Sequence, residues 1–130
     1  MRALIVEDDT SLGFLWEETL SGAGFEVDCV TNCDAAIACV LQGSFDLCLL
    51  DMFVDDGATS GVADLIKVRT PETPVVVITG SATCPRGEQA QEQGIDWILR
   101  KPVRVSELTA IAEYLTSNHV RQNDKQARAI

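Results

Sequence analysis

The chain is 130 residues long, 46% hydrophobic, and sets twenty Asp and Glu against ten Lys and Arg for a formal charge of −10. That supplies enough apolar material for one compact domain with its own core and excludes a largely disordered chain. The field of so acidic a domain repels phosphate backbones and anionic membranes, which disfavours direct nucleic-acid binding and membrane association.

Met1 leads at once into Arg2-Ala3-Leu4-Ile5-Val6. There is no signal-peptide core and no apolar run of bilayer length, so the chain is expected to stay in the cytosol. Residues 3–6 read as a strand that ends in Glu7-Asp8-Asp9. Leu12, Leu15, Trp16, Thr19 and Leu20 follow at spacings of three and four, the apolar stripe of a helix. Asp9, Thr10 or Ser11 can cap its start, and Gly22 and Gly24 stop it. A second strand at 25–30 includes Glu26 and Asp28, as an edge strand would.

Ala36, Ile37, Val40 and Leu41 mark the next helix, which ends before Gly43. A strand at 46–50 runs into Asp51. Val62, Leu65 and Ile66 then repeat the helical pattern, with Arg69 in the last turn before Pro71. Strand 74–79 ends in Thr79-Gly80-Ser81. The stretch 85–93 has a single apolar residue and predicts a weakly anchored helix. Strand 95–99 leads into Arg100-Lys101-Pro102, and Leu108, Ile111, Ala112 and Leu115 give the last helix its buried face. Beyond Asn118 the apolar periodicity stops. One domain over 1–118 with a polar, frayed tail at 119–130 is expected.

Strands apolar on nearly every residue must be covered on both faces, and their alternation with helices predicts an α/β doubly wound (βα)5 fold. Its parallel sheet should have the order 2-1-3-4-5. Cys29, Cys33, Cys39, Cys48 and Cys84 form no CxxC pair and read as reduced, mostly buried thiols. The one histidine, His119, lies in the polar tail and is assigned no role.

In an open parallel sheet, ligands bind beyond the carboxyl ends of the strands near the reversal of strand order. There the predicted order brings Glu7, Asp8 and Asp51 together. Carboxylates so close need a cation, and an all-oxygen ligand set suits Mg²⁺ or Mn²⁺ rather than zinc. A carboxylate beside such an ion can attack phosphorus to give an aspartyl phosphate, with Lys101 neutralising charge and Thr79 offering a hydroxyl. Each residue also has a plainer reading, as a helix cap, a turn residue or a solvated lysine. Four suitable groups at four strand ends favour a site.

These residues closely resemble the receiver domain of two-component response regulators, a CheY-like, flavodoxin-like module. The resemblance spans about residues 1–118 and rests on Leu4-Ile5-Val6-Glu7-Asp8-Asp9, Asp46-Leu47-Cys48-Leu49-Leu50-Asp51-Met52, Val76-Val77-Ile78-Thr79-Gly80 and Lys101-Pro102. It implies a stand-alone regulator in which Asp51 accepts a phosphoryl group from a sensor histidine kinase or a histidine phosphotransfer protein. Asp8 and Asp51 would ligate Mg²⁺ directly, Glu7 through water, and Phe53 through its backbone carbonyl. Thr79 would bond a phosphoryl oxygen after transfer and Lys101 another, helped by a cis Lys101–Pro102 bond. Output would pass through protein contacts or a phosphorelay to a downstream protein the sequence does not identify, with the chain a monomer or a phosphorylation-linked dimer.

The sequence also departs from the family pattern. Asp55 stands where a proline is usual, and the stretch 54–61 is expected to form a longer, more acidic and more mobile loop. Ile98 occupies the place of the aromatic switch residue. Trp97, one position earlier, should point to the opposite face of its strand. Phe53 cannot orient a hydrolytic water, which predicts slow autodephosphorylation.

Three other functions compete. A haloacid-dehalogenase-like aspartyl-phosphate phosphatase would need a second Asp two residues after the nucleophile, where this chain has Phe53. A flavin or nucleotide binder would need an acid-free phosphate cradle in the first loop, which here holds acids. A receiver-like scaffold working without phosphorylation is the third. The leading reading is therefore a phosphoryl acceptor rather than a turnover enzyme.

Overall fold

A computed structural model describes residues 1–80 and 94–128. The order is β1 (Arg2–Val6), α1 (Thr10–Gly22), β2 (Glu26–Val30), α2 (Cys33–Gln42), β3 (Leu47–Asp51), β4 (Phe53–Val54), β5 (Gly57–Ala58), α3 (Ser60–Arg69), β6 (Val75–Thr79) and β7 (Trp97–Arg100). The last helix, α4, spans Val105–Arg128. Five parallel strands pair as β2-β1-β3-β6-β7, the predicted 2-1-3-4-5 order once the short β4–β5 pair is set aside. Order reverses between β1 and β3, which places a crevice beyond their carboxyl ends.

Alternation along the strands divides the core in two. Leu4, Val6, Cys48, Leu50, Val75 and Val77 face α2 and α3, where Ala36, Val40, Val62 and Ile66 meet them. Ala3, Ile5, Leu47, Leu49, Val76 and Ile78 face the other way, onto Trp16 and Leu20 of α1 and Leu108 and Ala112 of α4. Every residue of β3 is buried, as a strand at the middle of a doubly covered sheet must be. The carboxyl end of β3 is thus anchored from both faces.

β2 is the edge strand the charges of Glu26 and Asp28 predicted, and Asp28 meets Arg2 of β1 at 2.9 Å. The α1 start is capped by Asp9, whose Oδ1 accepts the N–H groups of Ser11 and Leu12. Ile98 and Trp97 lie on opposite faces of β7, Ile98 toward α2 and α3 and Trp97 toward α4, edge-on to Tyr114 at 6.1 Å.

Several expectations need revision. The predicted strand at 95–99 is observed as Trp97–Arg100, beginning two residues later; just before it, the Asp96 carboxylate accepts the Val75 N–H and Lys67 Nζ. The loop after β3 contains a short antiparallel hairpin of β4 with β5, with Gly57 at φ 128° where a side chain would be strained. The backbone of α4 runs to Arg128, past the last apolar residue that marked it in the sequence. Among the four described cysteines only Cys48 is buried, its thiol pushed up to about 12 by burial. Cys29 is exposed because β2 has no strand on its outer side. Cys84 and the segment 85–93 lie outside the described residues. Among the described residues no helix is long and apolar enough to cross a membrane.

Candidate functional site

Strand register places the site. Val6 pairs with Leu50, Asp51 with Ile78, and Thr79 with Arg100, so the residues ending β1, β3, β6 and β7 emerge at one end of the sheet. Carboxylate oxygens of Glu7, Asp8 and Asp51 lie within 4.8 Å of one another. Lys101 reaches them from beyond β7: its Nζ is 2.9 Å from Asp51 Oδ2 and 3.4 Å from Glu7 Oε2. The Lys101–Pro102 peptide bond is cis. Thr79 is buried beside them, its hydroxyl donating to Met52 Sδ at 3.6 Å.

Burial makes these charges consequential. Asp51 is only 7% exposed and Glu7 1%. Glu7 Oε1 accepts the Asp9 N–H at 3.0 Å, whereas Oε2 has no hydrogen-bond partner. Burial therefore pushes the Glu7 carboxyl up to about 7, with Asp51 adding to the effect and Lys101 opposing it. Lys101 is itself held above its ordinary value, since Asp51 and Glu7 outweigh the lowering effect of burial. One ammonium group thus stands against several carboxylates.

The hairpin that follows Asp51 adds residues that sequence reasoning passed over. Thr59 is buried, and its Oγ1 donates to the Asp51 carbonyl at 2.6 Å while its N–H donates to the Met52 carbonyl at 3.0 Å. At the tip, Asp56 accepts the N–H groups of Cys33 and Asp34 at 2.8 and 3.2 Å, the opening of α2. Those bonds pull the Asp56 carboxyl below its ordinary value. The neighbouring Asp8 carboxyl pushes the exposed Asp55 carboxyl above its ordinary value. Phe53 opens β4, its N–H 3.4 Å from Asp51 Oδ1 and its ring 58% exposed at the rim.

An all-oxygen cluster with an unsatisfied buried oxygen on Glu7 fits a hard divalent cation such as Mg²⁺. No second acid stands two residues after Asp51, as a haloacid dehalogenase would require, because that place is Phe53.

Residues 3–113 match the response regulator receiver domain family. The chain is 35% identical over 114 residues to the response regulator protein PilR of Pseudomonas aeruginosa, covering 85% of this chain and 26% of that protein. It is 31% identical over 112 residues to the transcriptional regulatory protein DltR of Streptococcus agalactiae, covering 85% of this chain and 49% of that protein. The chain thus spans half or less of the length of these relatives. Among solved structures, a CheY-like receiver domain protein of Methanospirillum hungatei superposes with a TM-score of 0.80 at 25% identity, covering 92% of this chain and 97% of that one. The receiver domain of NtrX from Brucella abortus gives 0.76 at 27% identity, covering 87% and 96%.

Proposed function

The chain belongs to the response regulator receiver domain family, and from that premise we propose that Asp51 is its phosphoryl acceptor in two-component signalling. The observation that carries this reading is the Asp51 carboxylate itself, fixed at the end of a fully buried strand, paired to Lys101 at 2.9 Å and grouped with Glu7 and Asp8. A phosphohistidine on a sensor kinase or a phosphotransfer protein is the donor class. An Asp51 carboxylate oxygen bonds to phosphorus, the phosphorus–nitrogen bond breaks, and the leaving imidazole keeps the electron pair and takes a proton.

The chain's own groups prepare this step. Thr59 fixes the Asp51 backbone, while Lys101 on Oδ2 and the Phe53 N–H on Oδ1 hold its carboxylate. Lys101 offers positive charge where the transferred oxygens gather it, and it can follow the phosphoryl group off the carboxylate. Thr79 supplies a hydroxyl for another oxygen. Asp8 and Asp51 would hold Mg²⁺ directly, with Glu7 acting through water and Phe53 through its carbonyl. When bound, that ion neutralises charge shared between the carboxylates and the phosphoryl oxygens. The product is a modified protein whose output is a protein contact or onward transfer, so Asp51 is consumed once per event and no turnover substrate is required.

Intact mass after incubation with acetyl phosphate and Mg²⁺ tests the reading. One phosphoryl adduct that disappears in Asp51→Asn and in EDTA is expected. An adduct that persists in Asp51→Asn would overturn it.

A further inference from the structure

We infer that Met52 is a positioning residue through which this chain senses the phosphoryl group. Its sulfur holds the Thr79 hydroxyl in the resting state, and its side chain moves when that hydroxyl is drawn to a phosphoryl oxygen. This rests on the reading of Asp51 as acceptor and Thr79 as a phosphoryl partner, and extends it by one residue.

The Thr79 hydroxyl donates to Met52 Sδ at 3.6 Å, and Thr79 is 1% exposed. A hydroxyl has a single proton to donate, and a thioether sulfur is a weak acceptor for it. An anionic phosphoryl oxygen on Asp51 is much the stronger one. Donation to that oxygen therefore takes the proton from the sulfur, and Met52 loses a partner each time Asp51 is loaded.

The backbone of Met52 is pinned on both sides. Its N–H donates to the Ile78 carbonyl at 2.8 Å, and its carbonyl accepts the Thr59 N–H at 3.0 Å and Thr59 Oγ1 at 3.3 Å. The side chain has room to respond. It is half-buried and borders a largely apolar cavity of about 210 Å³, shared with Ala58, Thr59, Ala63, Val77 and Ile95. An unbranched thioether with three rotatable bonds re-packs readily in such a space. Ile98, beside Val77 on β7, packs against the same half of the core. It is β-branched, hence stiff at χ1, and has no polar atom to bond a hydroxyl. A change at Thr79 is thus passed on by Met52, toward the cavity beneath α3.

Met1 and Met52 are the only methionines, so protein labelled with methyl-¹³C methionine gives one signal from the site and one from outside it. Acetyl phosphate and Mg²⁺ should move the Met52 methyl signal and leave that of Met1 in place, in step with the adduct seen by intact mass. Thr79→Val keeps the shape and removes the hydroxyl. It should displace the Met52 signal before any phosphorylation, and loading Asp51 should then move it less than half as far. Met52→Leu keeps the volume and removes the acceptor. It should speed adduct formation about two- to three-fold, the low end of what one hydrogen bond contributes, and change nothing in the Thr79→Val background. A Met52 signal that stays put in adduct-bearing native chain, a native rate in Met52→Leu, or the same acceleration without the Thr79 hydroxyl would overturn the role of Met52 while leaving Asp51 as acceptor. A native chain that takes no adduct would overturn this inference together with the reading of Asp51 beneath it.

Discussion

Thr59 Oγ1 donates a 2.6 Å hydrogen bond to the backbone carbonyl of Asp51, across the full length of the β4–β5 hairpin. The acceptor strand and the hairpin that returns over it are therefore one mechanical unit. Replacing Thr59 by Val keeps the shape, removes the donor and leaves a buried carbonyl less well satisfied, at a cost of about 1–2 kcal/mol. Urea unfolding should show that loss, and Thr59→Ser should recover most of it. Equal stabilities for Thr59→Val and the native chain would contradict the coupling.

Lys101 stands 2.9 Å from Asp51 and 3.4 Å from Glu7. Lys101→Met leaves those carboxylates without their ammonium. Because Lys101 is part-exposed, the cost at pH 8 in EDTA should fall below that of a fully buried broken pair, at about 1–3 kcal/mol. Saturating Mg²⁺ should restore part of that stability by mass action. A variant as stable as the native chain in EDTA would show that Lys101 neutralises nothing.

Glu7 also dictates a pH dependence. Burial raises its carboxyl from 4.5 to about 7, so the folded chain holds this proton more tightly than the unfolded chain does. The stability so gained is fully present below 4.5 and is lost as pH rises through about 7. In EDTA the melting temperature of the native chain should therefore fall across that window relative to Glu7→Gln, whose side chain does not titrate. Parallel profiles for the two proteins would exclude Glu7 as the cause.

Phe53 presents a ring that is 58% exposed at the rim of the site. An apolar group there cannot orient an attacking water, so Phe53→Asn or Phe53→Glu should shorten the lifetime of the phosphoryl group several-fold. Loss of the adduct over time, followed by intact mass, measures this. An unchanged lifetime would move the control of hydrolysis elsewhere.

The inner site was legible because each of its residues ends an unmistakable apolar strand. Glu7, Asp8, Asp51 and Lys101 follow runs that only a doubly covered sheet accommodates, and the strand order then brings them together. The hairpin was illegible for the converse reason. Strands of two residues carry no periodicity, so Thr59, Asp55 and Asp56 read as an acidic loop until Gly57 and the bonds to α2 gave them positions. The length of α4 was hidden in a similar way. Helical backbone persists past Asn118 to Arg128, where the apolar spacing used to recognise it has already stopped. Burial of the thiols failed as a rule because three of the four described cysteines sit on or beside the exposed β2 edge and α2.

The central claim is that Asp51, rather than either neighbouring acid, carries the phosphoryl group. Borohydride reduces an acyl phosphate to the alcohol, so treatment after exposure to acetyl phosphate and Mg²⁺, followed by peptide mass analysis, reads out which aspartate was modified. Reduction confined to Asp51, abolished by EDTA, is the predicted result. Reduction at Asp8 or Asp55, or none while Mg²⁺ is bound, would contradict the account.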